Sequence, residues 1–256
     1  MAFIDTHAHI YLDQFGQDLG EVIRRAHEAT VDKIYMPNID SQSIERMIGI
    51  EEEVTVACYA MMGLHPCSVN ESMDREIRNM EDWLVRRKFR GIGETGTDLY
   101  WDKTFYERQV ESLEIHISWA KKYRIPIILH SRDSLDQTLS IIEKNFDDRL
   151  RGIFHCFTGN VDQARRIMDL DFLMGIGGVL TFRNSNLDKI IEQLPLSHLV
   201  LETDSPYLAP VPNRGKRNEP GYLPLIAGKL AEIFGMPVNE IAKITSENAE
   251  KIFQDT

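Results

Sequence analysis

The chain has 256 residues, 43% of them hydrophobic and 27% charged, with 16 glycines and 10 prolines. That balance excludes a disordered, collagen-like or coiled-coil chain, and no apolar run approaches the ~18 residues that suggest a membrane span. Forty acidic residues against 29 basic ones leave a net charge of −11, which argues against broad electrostatic coating of a duplex and leaves room for a local site with its own cations.

The chain opens Met1-Ala2-Phe3-Ile4-Asp5, with neither a basic start nor an apolar signal core, so a cytoplasmic location is expected. Residues 2–5 then predict a first strand and 18–30 a first helix. Strand-like runs follow at 32–36, 55–61, 90–93, 126–130, 152–157, 172–176 and 199–202. Helical stretches at 41–53, 73–88, 105–122, 134–146, 162–168, 187–194 and 223–234 fill the gaps, and a last one at 238–253 follows Pro237. In 105–122 the apolar residues Phe105, Val110, Leu113, Ile117 and Ala120 keep a spacing of three to four for most of the run. Strands separated by helices pair in parallel through crossovers, and about eight such units in ~250 residues close a (β/α)8 barrel. A doubly wound sheet would carry a glycine-rich turn after its first strand, where this chain has Thr6-His7-Ala8-His9. No linker or repeat divides the sequence, so residues 1–256 are expected to form a single-domain α/β TIM barrel. Cys58, Cys67 and Cys156 are odd in number and make no CxxC pair, which fits a reducing compartment without disulfides.

Of the eight histidines, His7, His9, His65, His130 and His155 fall at the C-terminal ends of predicted strands, the active-site face of an α/β barrel. His27, His116 and His198 lie elsewhere and read as surface or packing residues. Side chains at i and i+2 of a strand share a face, so His7 and His9 can reach one metal ion together. An HxH pair is a weak signal by itself. With His130, His155 and Asp204 ending later strands, the order resembles the metal-dependent amidohydrolase superfamily. At the end of the fourth strand, where many two-metal members of that superfamily have a carboxylated lysine, this chain has Glu94. A glutamate can bridge two cations ~3.5–4 Å apart with its two oxygens.

The stretches FIDTHAHI (3–10), GLHP (63–66), GIGETGTDLY (91–100), PIILHSRD (126–133), FHCFTG (154–159), LETDSPYLAP (201–210) and RNEP (217–220) are similar to motifs of the TatD family of metal-dependent deoxyribonucleases, in that family's order. Two positions depart from its pattern: Thr97 stands where the family usually has leucine, and Ser205 where it tends to have a small residue such as alanine. Neither is a presumed ligand. The resemblance implies two divalent ions (Mg, Mn or Zn), one held by His7, His9, Glu94 and Asp204, the other by Glu94, His130 and His155. It implies a bridging hydroxide that attacks phosphorus, with Asp204 and Glu94 as the catalytic carboxylates, and points to 3′–5′ exonuclease action on single-stranded DNA or oligonucleotides.

Arg132 and Arg217 sit on the active-site face and are expected to contact phosphates, with His65 a further substrate contact or a support. Arg214 and Lys216 share that face. Arg86-Arg87-Lys88-Phe89-Arg90 precedes the fourth strand and reads as a solvated helix end at the opposite face. Cys156, next to His155, is expected by strand alternation to point into the core. Two rivals are a hydrolase of an amide, lactone or phosphotriester, and a non-catalytic binding barrel. Glu94 and the RNEP segment argue against the first, the complete ligand set against the second. A monomer without membrane contact is the expected form.

Overall fold

The computed structural model describes residues 2–53 and 56–254. Eight parallel strands alternate with helices: β1 (Phe3–Asp5), α1 (Leu19–Glu28), β2 (Val31–Pro37), α2 (Ile44–Glu53), β3 (Ala57–Met61), α3 (Met73–Arg86), β4 (Ile92–Asp98), α4 (Tyr106–Tyr123), β5 (Ile127–Arg132), α5 (Leu135–Asn145), β6 (Gly152–Phe154), α6 (Val161–Asp169), β7 (Leu173–Ile176), α7 (Leu187–Ile191), β8 (Leu199–Leu201), α8 (Leu223–Phe234) and α9 (Val238–Phe253). Ladders run β1-β2-β3 and β4 through β8 in sequence order. Two seams close the ring. Arg90 N donates to Ala60 O and Gly93 N to Met62 O between β3 and β4, while Thr6 N donates to Leu201 O between β1 and β8. The architecture is a TIM barrel.

The inside of the barrel is packed at its lower end. Ile4, Tyr35, Met61, Ile128, Ile153, Leu173 and Val200, one from each of seven strands, cluster with Ala249, Ile252 and Phe253 of α9. The Phe253 ring stacks on Tyr35 with centroids 3.7 Å apart. β4 contributes Gly93 to this neighbourhood, where a Cβ would stand 2.7 Å from Ile128 Cβ. The plug leaves only the opposite end open, the end at which the strands terminate.

Element boundaries shift in ways that matter for the site. The predicted strand 90–93 begins and ends later, and β4 continues through Glu94 to Asp98, all seven residues buried. Its glycines are packing requirements rather than strand stops: a Cβ on Gly96 would meet His130 O at 2.0 Å, and Gly96 has φ +147°. β6 stops at Phe154, three residues before the predicted end, and β5 extends to Arg132. The predicted strand start at residue 55 lies outside the described residues. Among the described residues, no helix is long and apolar enough to cross a membrane.

Candidate metal centre

The upper ends of β1, β4, β5, β6 and β8 converge on one buried cluster. His7 and His9 flank Ala8, which bridges in parallel to Ser205, so the β1 edge keeps its alternation past Asp5. His7 Nε2 and His9 Nε2 stand 3.1 Å apart. Glu94 Oε2 lies 3.2 Å from His7 Nε2 and 3.4 Å from His9 Nε2, and Asp204 Oδ1 is 3.8 and 3.7 Å from the same two atoms. Separations of this size suit ligand atoms placed ~2.0–2.2 Å from a shared ion. The other carboxylate oxygen, Glu94 Oε1, faces His130 Nδ1 at 2.8 Å, His155 Nε2 at 3.4 Å and His65 Nε2 at 3.7 Å. Donor atoms of His7, His155 and Asp204 also lie within 4.8 Å of one another, as do those of His65, Glu94 and His130.

Neighbouring groups set which ring nitrogens are free. Tyr11 OH donates to Pro37 O at 2.6 Å, so its oxygen accepts from His9 Nδ1 at 2.9 Å and leaves His9 Nε2 bare toward the cluster. His155 Nδ1 sits 2.9 Å from Glu202 Oε1, and His130 Nε2 3.0 Å from Asp98 Oδ2. A carboxylate behind a histidine fixes its ring and strengthens it as a ligand. His65 is different: its Nδ1 accepts the Cys67 N–H at 3.0 Å, so the neutral ring carries its proton on Nε2. It is therefore a hydrogen-bond donor toward the cavity.

The electrostatics follow from burial and these pairings. Burial works against Glu94, yet His7, His65, His155 and the bond from His130 hold its carboxyl well below the usual range. Burial also opposes charge on His155, but Glu202 and Glu94 push the ring up to about 10. His65 is driven down to about 3, chiefly by burial. His7 falls well below the usual value through burial and the charge of His155 stacked on it at 3.6 Å. Burial raises Asp204 to about 6. Imidazole and carboxylate donor atoms gathered on both sides of Glu94, within 4.8 Å of one another in each group, fit divalent cations.

A family model described as TatD related DNase matches residues 4–254. The chain belongs to this family. A Bacillus subtilis relative, the uncharacterized metal-dependent hydrolase YabD, is 37% identical across 98% of both chains. The Escherichia coli K12 metal-dependent hydrolase YjjV is 34% identical over 98% of this chain and 97% of its own. The crystal structure of the YjjV TatD homologue superposes with a TM-score of 0.93 over 99% of this chain and 98% of that one, at 32% identity. A TatD family hydrolase of Entamoeba histolytica shares the fold, with TM-score 0.83, 21% identity and full coverage of both chains. Like the relatives so named, this TatD-family member is a metal-dependent hydrolase.

His7, His9, Glu94, His130, His155 and Asp204 all meet in the cluster, and His65 and Arg132 line the cavity of about 1020 Å³ above it. Arg217 is placed elsewhere. Its guanidinium forms a two-pronged pair with Asp18, 2.7 Å at each contact, donates to Gln14 O, and lies over the Phe15 ring. Arg214 and Lys216 line the cavity instead. The rest of RNEP is also a structural clasp: Asn218 Nδ2 donates to Thr203 O at 2.6 Å and Tyr207 O at 2.7 Å, and Glu219 clasps Arg25. Cys156 departs from expectation. β6 has ended before it, its φ is +48°, and it lines a second cavity of about 700 Å³ beside His155 rather than the core.

Asp98, Glu202, Tyr11 and Asp5 were not singled out in the sequence. Each lies two or four residues from a candidate ligand on the same chain segment; Asp98 shares the face of Glu94 by alternation along β4, whereas Tyr11 and Glu202 lie outside the strands. That spacing was the available signal.

Proposed function

We propose that this chain is a binuclear metallohydrolase that cuts phosphodiester bonds of single-stranded DNA from the 3′ end, acting in the cytoplasm as a monomer with Mg, Mn or Zn. The observation that carries this reading is Glu94, whose Oε2 faces His7 and His9 while Oε1 faces His130 and His155. His7, His9, Glu94 and Asp204 would hold one cation, and Glu94, His130 and His155 the other. Bound there, divalent cations lower the pKa of a shared water and offset charge on phosphate oxygens. Asp204, beside both His7 and His9, accepts the proton that the attacking water gives up. His65 presents its Nε2–H for a phosphoryl oxygen, and Arg132 supplies positive charge at the rim.

Two facts support DNA as the substrate and a single strand as its form. The family description names a DNase. A net charge of −11 disfavours holding a long duplex by bulk electrostatics, whereas a flexible strand end can enter the cavity. The test compares linear and covalently closed circular single-stranded DNA of one sequence. The linear strand should shorten from its 3′ end with added Mg, Mn or Zn and stop with chelator, while the circle persists. A circle cut as fast as the linear strand refutes end-directed action. If neither is cut with any metal, the nuclease reading fails.

A further inference from the structure

Three side chains at the cavity mouth have no part in holding the cluster together. Tyr100 and Trp101, in the turn after β4, leave 51% and 67% of their surface exposed. Their rings stand edge to face with centroids 4.9 Å apart. The Arg132 guanidinium carbon lies 3.7 Å from the Tyr100 ring centre and 5.1 Å from that of Trp101. An exposed aromatic pair beside a cavity offers ring faces on which a flat ligand group can stack.

The placement of these rings is tied to the metal centre. Asp98 Oδ1 accepts the backbone N–H groups of Tyr100 at 2.9 Å and Trp101 at 3.0 Å, while its Oδ2 lies 3.0 Å from His130 Nε2. One carboxylate thus orients a ligand and the aromatic turn together. Arg132 follows His130 by two residues on β5, ~6.5 Å further along the strand. Leu99 N donates to Arg132 O at 2.9 Å, which joins the two loop ends. Trp101 and Arg132 line the same cavity as Glu94, His130 and Asp204, so a ligand whose reacting group lies at the cluster brings its adjoining part within reach of the rings. For a nucleic acid, that part is the adjoining base. An unpaired base presents a free face, whereas a base within a duplex has its faces covered by its neighbours.

We infer that Tyr100, Trp101 and Arg132 form a stacking platform for the base next to the scissile phosphate, and that it makes the enzyme select single strands bearing intact bases. This rests on the phosphodiesterase reading above. Stacking on an aromatic face tolerates any base, so the platform selects for the unpaired state rather than for sequence. Arg132 adds a cation to the same surface, close enough to meet a flanking phosphate.

The test uses the metal-loaded full-length protein and two octanucleotides with the same sugar–phosphate backbone, one of thymidylates and one without bases. KM and kcat are measured on both, and Kd on their phosphorothioate forms. The wild type should bind the base-bearing strand about 5- to 150-fold more tightly, the range expected for stacking one base. Trp101→Ala should remove most of that preference through Kd and KM, and Trp101→Phe should restore it. Emission from exposed Trp101, taken as the difference between wild type and Trp101→Ala so that half-buried Trp83 and buried Trp119 cancel, should be quenched by the thymidylate strand and not by the base-free one. A purely structural role for Trp101 would weaken binding of both strands equally. A wild type that treats the two strands alike, or a Trp101→Ala variant that keeps the preference, overturns the platform and leaves the phosphodiesterase reading standing. A wild type that neither binds nor cleaves either strand overturns both.

Discussion

Replacing Asn218 by alanine tests whether the RNEP segment holds the Asp204 loop or reaches the substrate. The amide of Asn218 is fully buried and donates to Thr203 O and Tyr207 O, while its Oδ1 accepts the Glu219 N–H at 2.9 Å. Alanine strands the Thr203 carbonyl and the Glu219 N–H, both buried, and leaves Tyr207 O to be rewetted at the more exposed side. An unsatisfied buried group costs ~1–3 kcal/mol and a lost neutral hydrogen bond ~0.5–1.5 kcal/mol, so two of the first and one of the second total about 2.5–7.5 kcal/mol. For a chain of this size that corresponds to a fall in Tm of roughly 5–30 °C. Urea denaturation and calorimetry measure the change, and metal analysis of the same samples shows whether the loop still presents Asp204. A stability change within ~0.5 kcal/mol, joined to a large rise in KM, would refute the clasp and return the segment to substrate binding.

Chelation should abolish hydrolysis and Mg, Mn or Zn restore it; Glu94→Ala should lose metal from both positions, and a variant that retains two equivalents by mass spectrometry would contradict the bridging role. Asp204→Asn keeps size but removes the proton acceptor and should lower kcat by ~10²–10⁴, with near wild-type turnover at equal metal content excluding Asp204 from the chemistry. Arg217→Ala should raise KM for an oligonucleotide less than Arg132→Ala does, since Arg217 is clamped to Asp18; the opposite order would sink this assignment. His116 is buried, accepts Leu64 N–H at 3.0 Å, and has its pKa driven by burial from 6.5 down to about 4. The unfolded ring takes a proton first as pH falls, so its contribution is full above about 6.5 and is lost on the way to about 4, roughly 3 kcal/mol in all. Denaturation series for wild type and His116→Gln across that window check it, and equally steep acid losses in both would disprove it.

The fold and the convergence of the candidate ligands were legible in the sequence for one physical reason. Barrel strands alternate with helices, and their last residues must face the open end, so polar residues there stand out against apolar runs. What stayed hidden depended on where the backbone leaves its regular path. The predicted fourth strand stops at residue 93, whereas β4 runs on to Asp98 and close packing against Ile128 and His130 requires Gly93 and Gly96 inside it. Cys156 looked inward by alternation, yet a positive φ at that residue turns the chain after β6. Arg217 looked available on the correct rim, but its partner Asp18 is 199 positions away in sequence. Such pairings depend on tertiary contacts that local patterns do not encode.

Closure of the barrel and presentation of its ligands depend on the same bonds at the β1–β8 seam. Asp5 Oδ1 accepts the N–H groups of His7 at 3.2 Å and Thr203 at 3.0 Å, and its Oδ2 accepts the Thr203 hydroxyl at 2.6 Å. Ser205 donates its own hydroxyl to Thr203 Oγ1, and Asp204 N donates to His7 O at 2.8 Å. These bonds bracket His7 and Asp204, one ligand from each side of the seam, and fix them relative to each other before any ion arrives. A loosened seam would spread these two ligands, whereas Glu94, His130 and His155 hang from β4, β5 and β6 and would stay together. Under the two-cation reading proposed above, damage to Asp5 should therefore act first on the cation that His7, His9 and Asp204 would hold, and only later on the other. Ser205, where the family tends to have a small residue such as alanine, lies in this hydroxyl chain: its hydroxyl adds a donor to Thr203 while its carbonyl accepts the His9 N–H at 2.7 Å.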